Sequence, residues 1–213
     1  MSLVLNKVSA HSDGNTCLNS MDLEILPSGV TVVMGPGGSG KTLLLDVLAG
    51  VQNIDEGEIS CRGDRDPRIV YQSAEPLLPP GYTVQGFFSS LSQSVPSTFG
   101  LLEVSDWRVD FLSPRHRRAL WLSAALARTA DVYLFDEPIL GLDPWFRADF
   151  TADLSRIVRE GAAAVIATVD STFAHRIADE LLWMQAGQVS RKFSKEELQS
   201  KPSLDELWKR EEQ

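Results

Sequence analysis

The chain has 213 residues, which is enough for one domain or one domain with a small lobe. Hydrophobic side chains make up 43% and charged ones 23%, the balance of a soluble globular protein with a proper core. Its 20 basic residues against 29 acidic ones leave −9 at neutral pH, which speaks against a coat of nucleic acid, since phosphate binding wants a basic face.

From the N-terminus, residues 3–8 alternate apolar and polar and predict a strand, with a turn at Asp13-Gly14. The opening stretch, MSLVLNKVSAHSDG, lacks the basic-then-apolar layout of a signal peptide. A second short strand is expected at 23–26. Residues 30–34 form a continuous β-branched run, the mark of a strand buried on both faces of a parallel sheet. A glycine-rich loop follows, then a helix at 43–49 stopped by Gly50. Further strands are predicted at 57–61 and 68–71. Between 73 and 111, prolines and serines break the pattern, so only one or two short helices are expected, at 83–91 and 101–112. Ser113-Pro114 then reads as an N-cap with proline at the first helical position, opening a helix at 115–128. A buried strand at 132–135, a helix at 144–160, a strand at 163–168 and a helix at 171–178 come next. A hairpin of 181–184 with 188–193 turns at Ala186-Gly187. Two capping-box starts, Ser194-x-x-Glu197 and Ser203-x-x-Glu206, predict short terminal helices. Buried strands alternating with helices predict an α/β sandwich around a largely parallel sheet. Nowhere does an apolar run approach the ~20 residues of a bilayer helix. Cys17 and Cys61, without a CxxC motif, read as small hydrophobes in a reducing cytosol.

The glycine-rich loop carries the chemistry. Gly35-Pro36-Gly37-Gly38-Ser39-Gly40-Lys41-Thr42 fits G-x-x-x-x-G-K-[ST] between a buried strand and a helix. Its glycines let the backbone fold around phosphate oxygens, so that N–H groups add to the positive end of the helix. Lys41 would reach the β- and γ-phosphates, and the Thr42 hydroxyl would ligate Mg²⁺. The second anchor is Val132-Tyr133-Leu134-Phe135-Asp136-Glu137, four apolar strand residues ending in two acids. Strand C-terminal ends are where α/β sheets put their ligands. Asp136 would hold Mg²⁺ through water, and Glu137 would orient or deprotonate an attacking water.

With those residues in view, the chain resembles an ATP-binding cassette (ABC) ATPase subunit, of the compact bacterial type without a fused membrane domain. The likeness rests on the phosphate loop, on LFDEPILGLDP, on the Gln72 segment IVYQSAEP and on ATVDSTFAHRIADELLWMQAGQV. It covers residues 3 to about 193 and is poor at 83–111 and in the tail. It implies an α/β P-loop NTPase three-layer sandwich with a mostly parallel sheet, an antiparallel β edge region and a shortened helical subdomain at about 73–112. Residues 1–193 would be the nucleotide-binding domain and 194–213 a helical tail. Gln72 would be the Q-loop glutamine, sensing Mg²⁺ and the γ-phosphate beside Thr42 and Asp136. Asp143 would be the D-loop aspartate. Two cassettes, alike or different, would close head to tail over two ATPs, each site joining one chain's phosphate loop to the other's signature motif. A separate integral membrane subunit would be the other partner, holding the chain on the inner face of the membrane in the cytoplasm, with no nucleic acid involved.

Three departures from the family pattern qualify that expectation. Where the signature reads Leu-Ser-Gly-Gly-Gln, this chain has Leu112-Ser113-Pro114-Arg115-His116, followed by Arg117 and Arg118. Ser113 survives, but the two glycines that allowed close approach to a γ-phosphate are gone. Arg115 could answer with charge-assisted hydrogen bonds, or the Arg/His cluster could be a solvated helix start. Where the switch reads Thr-His-Asp, this chain has Thr168-Val169-Asp170, and valine donates nothing. No adenine-stacking aromatic occurs near Ser9–Gly14, His11 being the only ring. Both the switch and the signature bear on hydrolysis in a homodimer and in a heterodimer alike, so slow turnover is expected. Two functions therefore stand side by side: a transporter ATPase, and a nucleotide-gated assembly or regulatory subunit that needs ATP binding more than hydrolysis. A nucleic-acid maintenance role is disfavoured by the −9 charge and by the absence of a coiled-coil insertion.

Overall fold

The uninterrupted apolar runs of the sequence become strands covered on both faces. The computed structural model describes residues 2–12, 17–200 and 203–204. Among them run the strands β1 (Ser2–His11), β2 (Cys17–Glu24), β3 (Gly29–Met34), β4 (Glu56–Arg62), β5 (Ile69–Gln72), β6 (Val132–Asp136), β7 (Ala163–Ala167), β8 (Glu180–Gln185) and β9 (Gln188–Ser194). The helices are α1 (Lys41–Leu48), α2 (Val84–Ser90), α3 (Pro114–Leu126), α4 (Pro144–Arg159), α5 (Ser171–Ile177) and α6 (Lys195–Gln199).

A six-stranded sheet in the order β5-β6-β7-β3-β8-β9 forms the middle layer. Its first five strands are parallel, and β9 closes the edge antiparallel to β8. Because side chains alternate across a strand, each run feeds two cores at once. Tyr133 and Phe135 of β6, with Ala164 and Ile166 of β7, enter one core. Val132 and Leu134, with Val165 and Ala167, enter the other. The first core is closed by Leu120 of α3, Phe150 and Leu154 of α4 and Phe173 of α5. The second is closed by Leu44 and Leu48 of α1 and by an antiparallel sheet ordered β2-β1-β4. That makes the predicted three-layer sandwich with an antiparallel region at its side.

The structure corrects the sequence reading in two elements. The strand expected at 23–26 runs instead over Cys17–Glu24. Its polar residues, the positive φ at Ser20 and the register shifts against β1 hide the alternation. The helix expected at 101–112 is two 3₁₀ turns, Leu102–Val104 and Val109–Phe111. Together with α2, capped by the Thr83 side chain, they bury Phe87, Phe88, Phe99, Leu101 and Val109 in the first core, so the 73–112 region packs on the main body.

At the C-terminal side, Ser194 and Glu197 form the expected capping box of α6. Leu198 and Leu204 are buried in the first core. The turn at Asp13-Gly14 and the Ser203-x-x-Glu206 box beyond Leu204 lie outside the described residues. Both cysteines are half-buried thiols.

Candidate active site

The loop between β3 and α1 is folded by contacts only glycine tolerates. Gly35 has φ 151°, and a Cβ there would stand 2.1 Å from the Met184 carbonyl oxygen. Gly40 caps α1 at φ 100°, turning the first N–H groups of the helix toward the loop. On the other side the loop is open, for beyond the adjoining residues no described atom lies within 4 Å of where a Cβ on Gly37 or Gly38 would be. This is a backbone cradle with room for an anion. Pro36 O accepts from Ser39 N at 3.2 Å, and the buried Ser39 carbonyl accepts from Gly187 N at 3.1 Å, which ties the loop to the β8–β9 turn.

Lys41 is buried, with Nζ donating to Gly35 O at 2.7 Å and Pro36 O at 2.9 Å and approaching Ser39 Oγ at 3.4 Å. Its ammonium thus lies across the mouth of the cradle. The Thr42 hydroxyl donates to Asp136 Oδ2 at 2.8 Å, bringing the two predicted metal-ligating residues together across 94 positions of sequence. Glu137 follows at φ 45°, a left-handed turn that lifts its side chain out of β6. Its Oε2 accepts from Thr168 Oγ1 at 3.1 Å and its carboxylate also takes the Val169 amide. Burial pushes both Asp136 and Glu137 above the ordinary carboxylate range, against the pull of the Thr42 and Thr168 hydroxyls and of the nearby Lys41.

Gln72 ends β5 in register with Phe135, one residue before Asp136. It is 1% exposed, and neither Oε1 nor Nε2 has a hydrogen-bond partner. A buried amide left unpaired in this way is prepared for a ligand or costs stability for nothing. Among the described residues no cluster of three or more His, Cys, Asp or Glu could hold a metal alone. The oxygens of Thr42 and Asp136, with the Gln72 amide close by on the neighbouring strand, suit a hard cation that takes its remaining ligands from phosphate and water, as Mg²⁺ does.

The signature segment and the switch sit differently. Ser113 caps α3, its Oγ accepting from His116 N at 3.3 Å and sharing a hydrogen bond with His116 Nδ1 at 2.9 Å. Arg115 donates to Asp143 Oδ2 of its own chain at 2.7 Å and lies 4.9 Å over the Phe146 ring. Asp143 caps α4 through Phe146 N at 3.0 Å, and that amide, then Arg115, keeps its carboxyl low. Burial, then the Arg115 charge, keeps His116 below the usual imidazole value. The two residues expected to reach a partner, Arg115 and Asp143, therefore face each other. Val169 is half-exposed beside the Glu137 carboxylate, and His11 is paired with Asp55 at 2.7 Å.

Two residues of this region carry no role of their own in the sequence motifs. Thr168 holds Glu137, and a hydroxyl directly after a buried strand was its only signal. Arg118 is 8% exposed, so the solvated helix start proposed for the Arg/His cluster does not extend to it. Its signal was the buried stripe it shares with Leu122 and Ala125 at helical spacing.

Fold and loop together define a P-loop NTPase. The model of the ABC transporter family matches residues 18–140, and the chain belongs to that family. It is 30% identical to the sn-glycerol-3-phosphate import ATP-binding protein UgpC of Chromohalobacter salexigens, covering 85% of this chain and 55% of that protein. It is 27% identical to the trehalose import ATP-binding protein SugC of Mycobacterium tuberculosis, covering 94% of this chain and 57% of that one. The chain thus spans little more than half the length of these curated relatives. Among solved structures, an ATP-binding subunit of an ABC transporter superposes with a TM-score of 0.85 at 18% identity over 99% of both chains. A dimeric cassette in a post-hydrolysis state with ADP and Pi superposes at 0.76 with 19% identity, over 91% of this chain and 98% of that one. At those identities the likeness is one of fold.

Proposed function

We propose that this chain is the ATP-binding and slowly ATP-hydrolysing subunit of an ABC transporter, driving a separate membrane subunit as two cassettes close over nucleotide. The observation that carries the reading is the open amide cradle of Gly37 and Gly38, with the Lys41 ammonium across it and the Thr42–Asp136 pair beside it. On this reading residues 35–42 bind the triphosphate, and Lys41 exchanges the Gly35 and Pro36 carbonyls for phosphate oxygens. Thr42, Asp136 and Gln72 would hold Mg²⁺, which when bound supplies charge neutralisation at the phosphates. Glu137, fixed by Thr168, is the base or water-orienting group. Its raised proton affinity suits that task. Residues 1–193 form the nucleotide-binding domain and 194–213 a tail. No helix among the described residues is long and apolar enough to cross a membrane, so attachment would come through the membrane partner.

Calorimetry with Mg·ATP is the direct test. The wild-type chain binds with heat, and Lys41→Ala weakens binding by about a hundredfold or more, since two or more charge-assisted bonds go with the ammonium. No heat with either chain would end the proposal.

A second reading is favoured by Val169 and by the Arg115–Asp143 pair: a nucleotide-gated assembly or regulatory subunit in which binding suffices. In cells, loss of function with Lys41→Ala but not with Glu137→Gln would select it. Loss with both selects the transporter ATPase.

A further inference from the structure

Outside the cradle, buried polar groups without partners gather on one seam, where α3 lies against β5. Gln72 is one of them. Arg118, one turn into α3, is more than nine-tenths buried, and its Nη1 has no hydrogen-bond partner. No described carboxylate stands in ion-pair contact with it, and burial draws its proton affinity below the ordinary guanidinium value. The acids that feel its charge are Asp136 first, then Glu137 and Glu75. Arg118 sits on α3, which packs against β5, the strand that ends at Gln72 and pairs with β6 up to Phe135.

A sheltered cation without a counter-ion is among the costlier groups a fold can retain. Asp136 and Glu137 do not repay it by contact, for Asp136 is bonded to Thr42 and Glu137 to Thr168. The charge that would offset it is an anion. The ligand read for the adjacent cradle brings one, and in a dry interior a charge acts across several ångströms without touching. Val169, beside Glu137, offers that anion no side-chain donor.

We propose that Arg118, acting with the Gln72 amide, recognises the third phosphate of the nucleotide in this chain's own loop, making the site selective for the triphosphate over the diphosphate. The inference rests on the nucleotide reading of the loop and adds to it a residue supplied in cis, from the helix that begins at Ser113. Arg118 here is a binding and positioning residue. The extra phosphate charge of ATP is the feature it reads.

The test is equilibrium binding of Mg·ADP and of a non-hydrolysable Mg·ATP analogue to the full chain, measured for wild type, Arg118→Gln and Arg118→Lys. Arg118→Gln loses about tenfold or more in affinity for the triphosphate analogue, the scale of one charge-assisted interaction, while ADP affinity stays within about twofold. Arg118→Lys recovers most of the difference. Without nucleotide, the unfolding midpoint of Arg118→Gln equals or exceeds that of wild type, because an unpaired buried charge has been removed. If the glutamine variant does not fold, Arg118→Met carries the same comparison. Equal losses for both nucleotides, an unchanged ratio, or a lowered midpoint without nucleotide would each overturn the inference and leave the nucleotide reading standing. Wild type binding neither nucleotide would overturn both.

Discussion

β6 has an acid at each end, and the two ends are built in opposite ways. At its start, Asp131 accepts from Arg65 Nη1 and Nη2 at 2.8 and 2.9 Å, and from Arg68 N, Nη2 and Nε at 2.8, 3.1 and 3.2 Å. The Arg65 bonds, then those of Arg68, hold its carboxyl far below the usual carboxylate range. At the other end, Asp136 is buried with the Thr42 hydroxyl, Glu137 is half-buried with the Thr168 hydroxyl and the Val169 amide, and burial pushes both up. The saturated acid ties the 65–68 loop to the sheet and has nothing left to offer a ligand. The acids at the other end have few partners and keep lone pairs for a cation or a water. A carboxylate kept short of partners in a buried place is therefore a better marker of function than one embedded in salt bridges.

If that contrast is right, changes at the two ends should separate cleanly into effects on turnover and effects on stability. The largest effect is expected from Glu137→Gln, which keeps the shape and removes the base. Steady-state phosphate release should fall by about 10²–10⁴, with Mg·ATP affinity retained. The unfolding midpoint should be unchanged or higher, since a buried charge disfavoured by its surroundings has gone. A fall in the midpoint together with lost binding would break the comparison, because Glu137 would then be a structural acid like Asp131. Val169→His sharpens it from the other side. The side chain is half-exposed, so a ring costs the core little, and it adds a donor beside Glu137. Phosphate release should rise about tenfold or more, the reverse of removing a donor from a developing charge. No rise would point to the signature segment as the slow element.

The front end was largely legible because its determinants are contiguous. Eight adjacent residues specify the loop, and an apolar run ending in Asp136-Glu137 announces where a buried strand meets its ligand. What the sequence did not disclose depends on tertiary packing. That Arg115 would turn to Asp143 of its own chain follows from how α3 and α4 pack around Phe146. That Arg118 is buried follows from how α3 lies against β5, and a run of Arg, His, Arg and Arg looks solvated when read linearly. β2 was misplaced because its strand character comes from pairing with β1 rather than from its own polar residues. Asp131 carries no signal in the sequence, since one acid before a strand is common and its two arginines lie more than 60 positions away.

The smallest effect belongs to the back of the strand. Asp131→Asn should lower stability by about 1 kcal/mol, the upper range for a partly exposed, bidentate pair, and so the unfolding midpoint by roughly 2–4 °C for a chain of this size. Because the folded-state pKa lies below the unfolded value of about 3.9, the stabilisation is fully present above that value and is lost as the pH falls through the folded one. The gap in midpoint between wild type and Asp131→Asn should therefore be constant from pH 7 to about 5 and close as the pH drops below about 4. Phosphate release at neutral pH should match wild type, since no group of the front end is touched. A pH-independent gap would mean that Asp131 contributes hydrogen-bond geometry to the 65–68 loop rather than charge. A loss of turnover at full stability would show the two ends of β6 to be coupled through the strand, and the division of labour drawn between them would not hold.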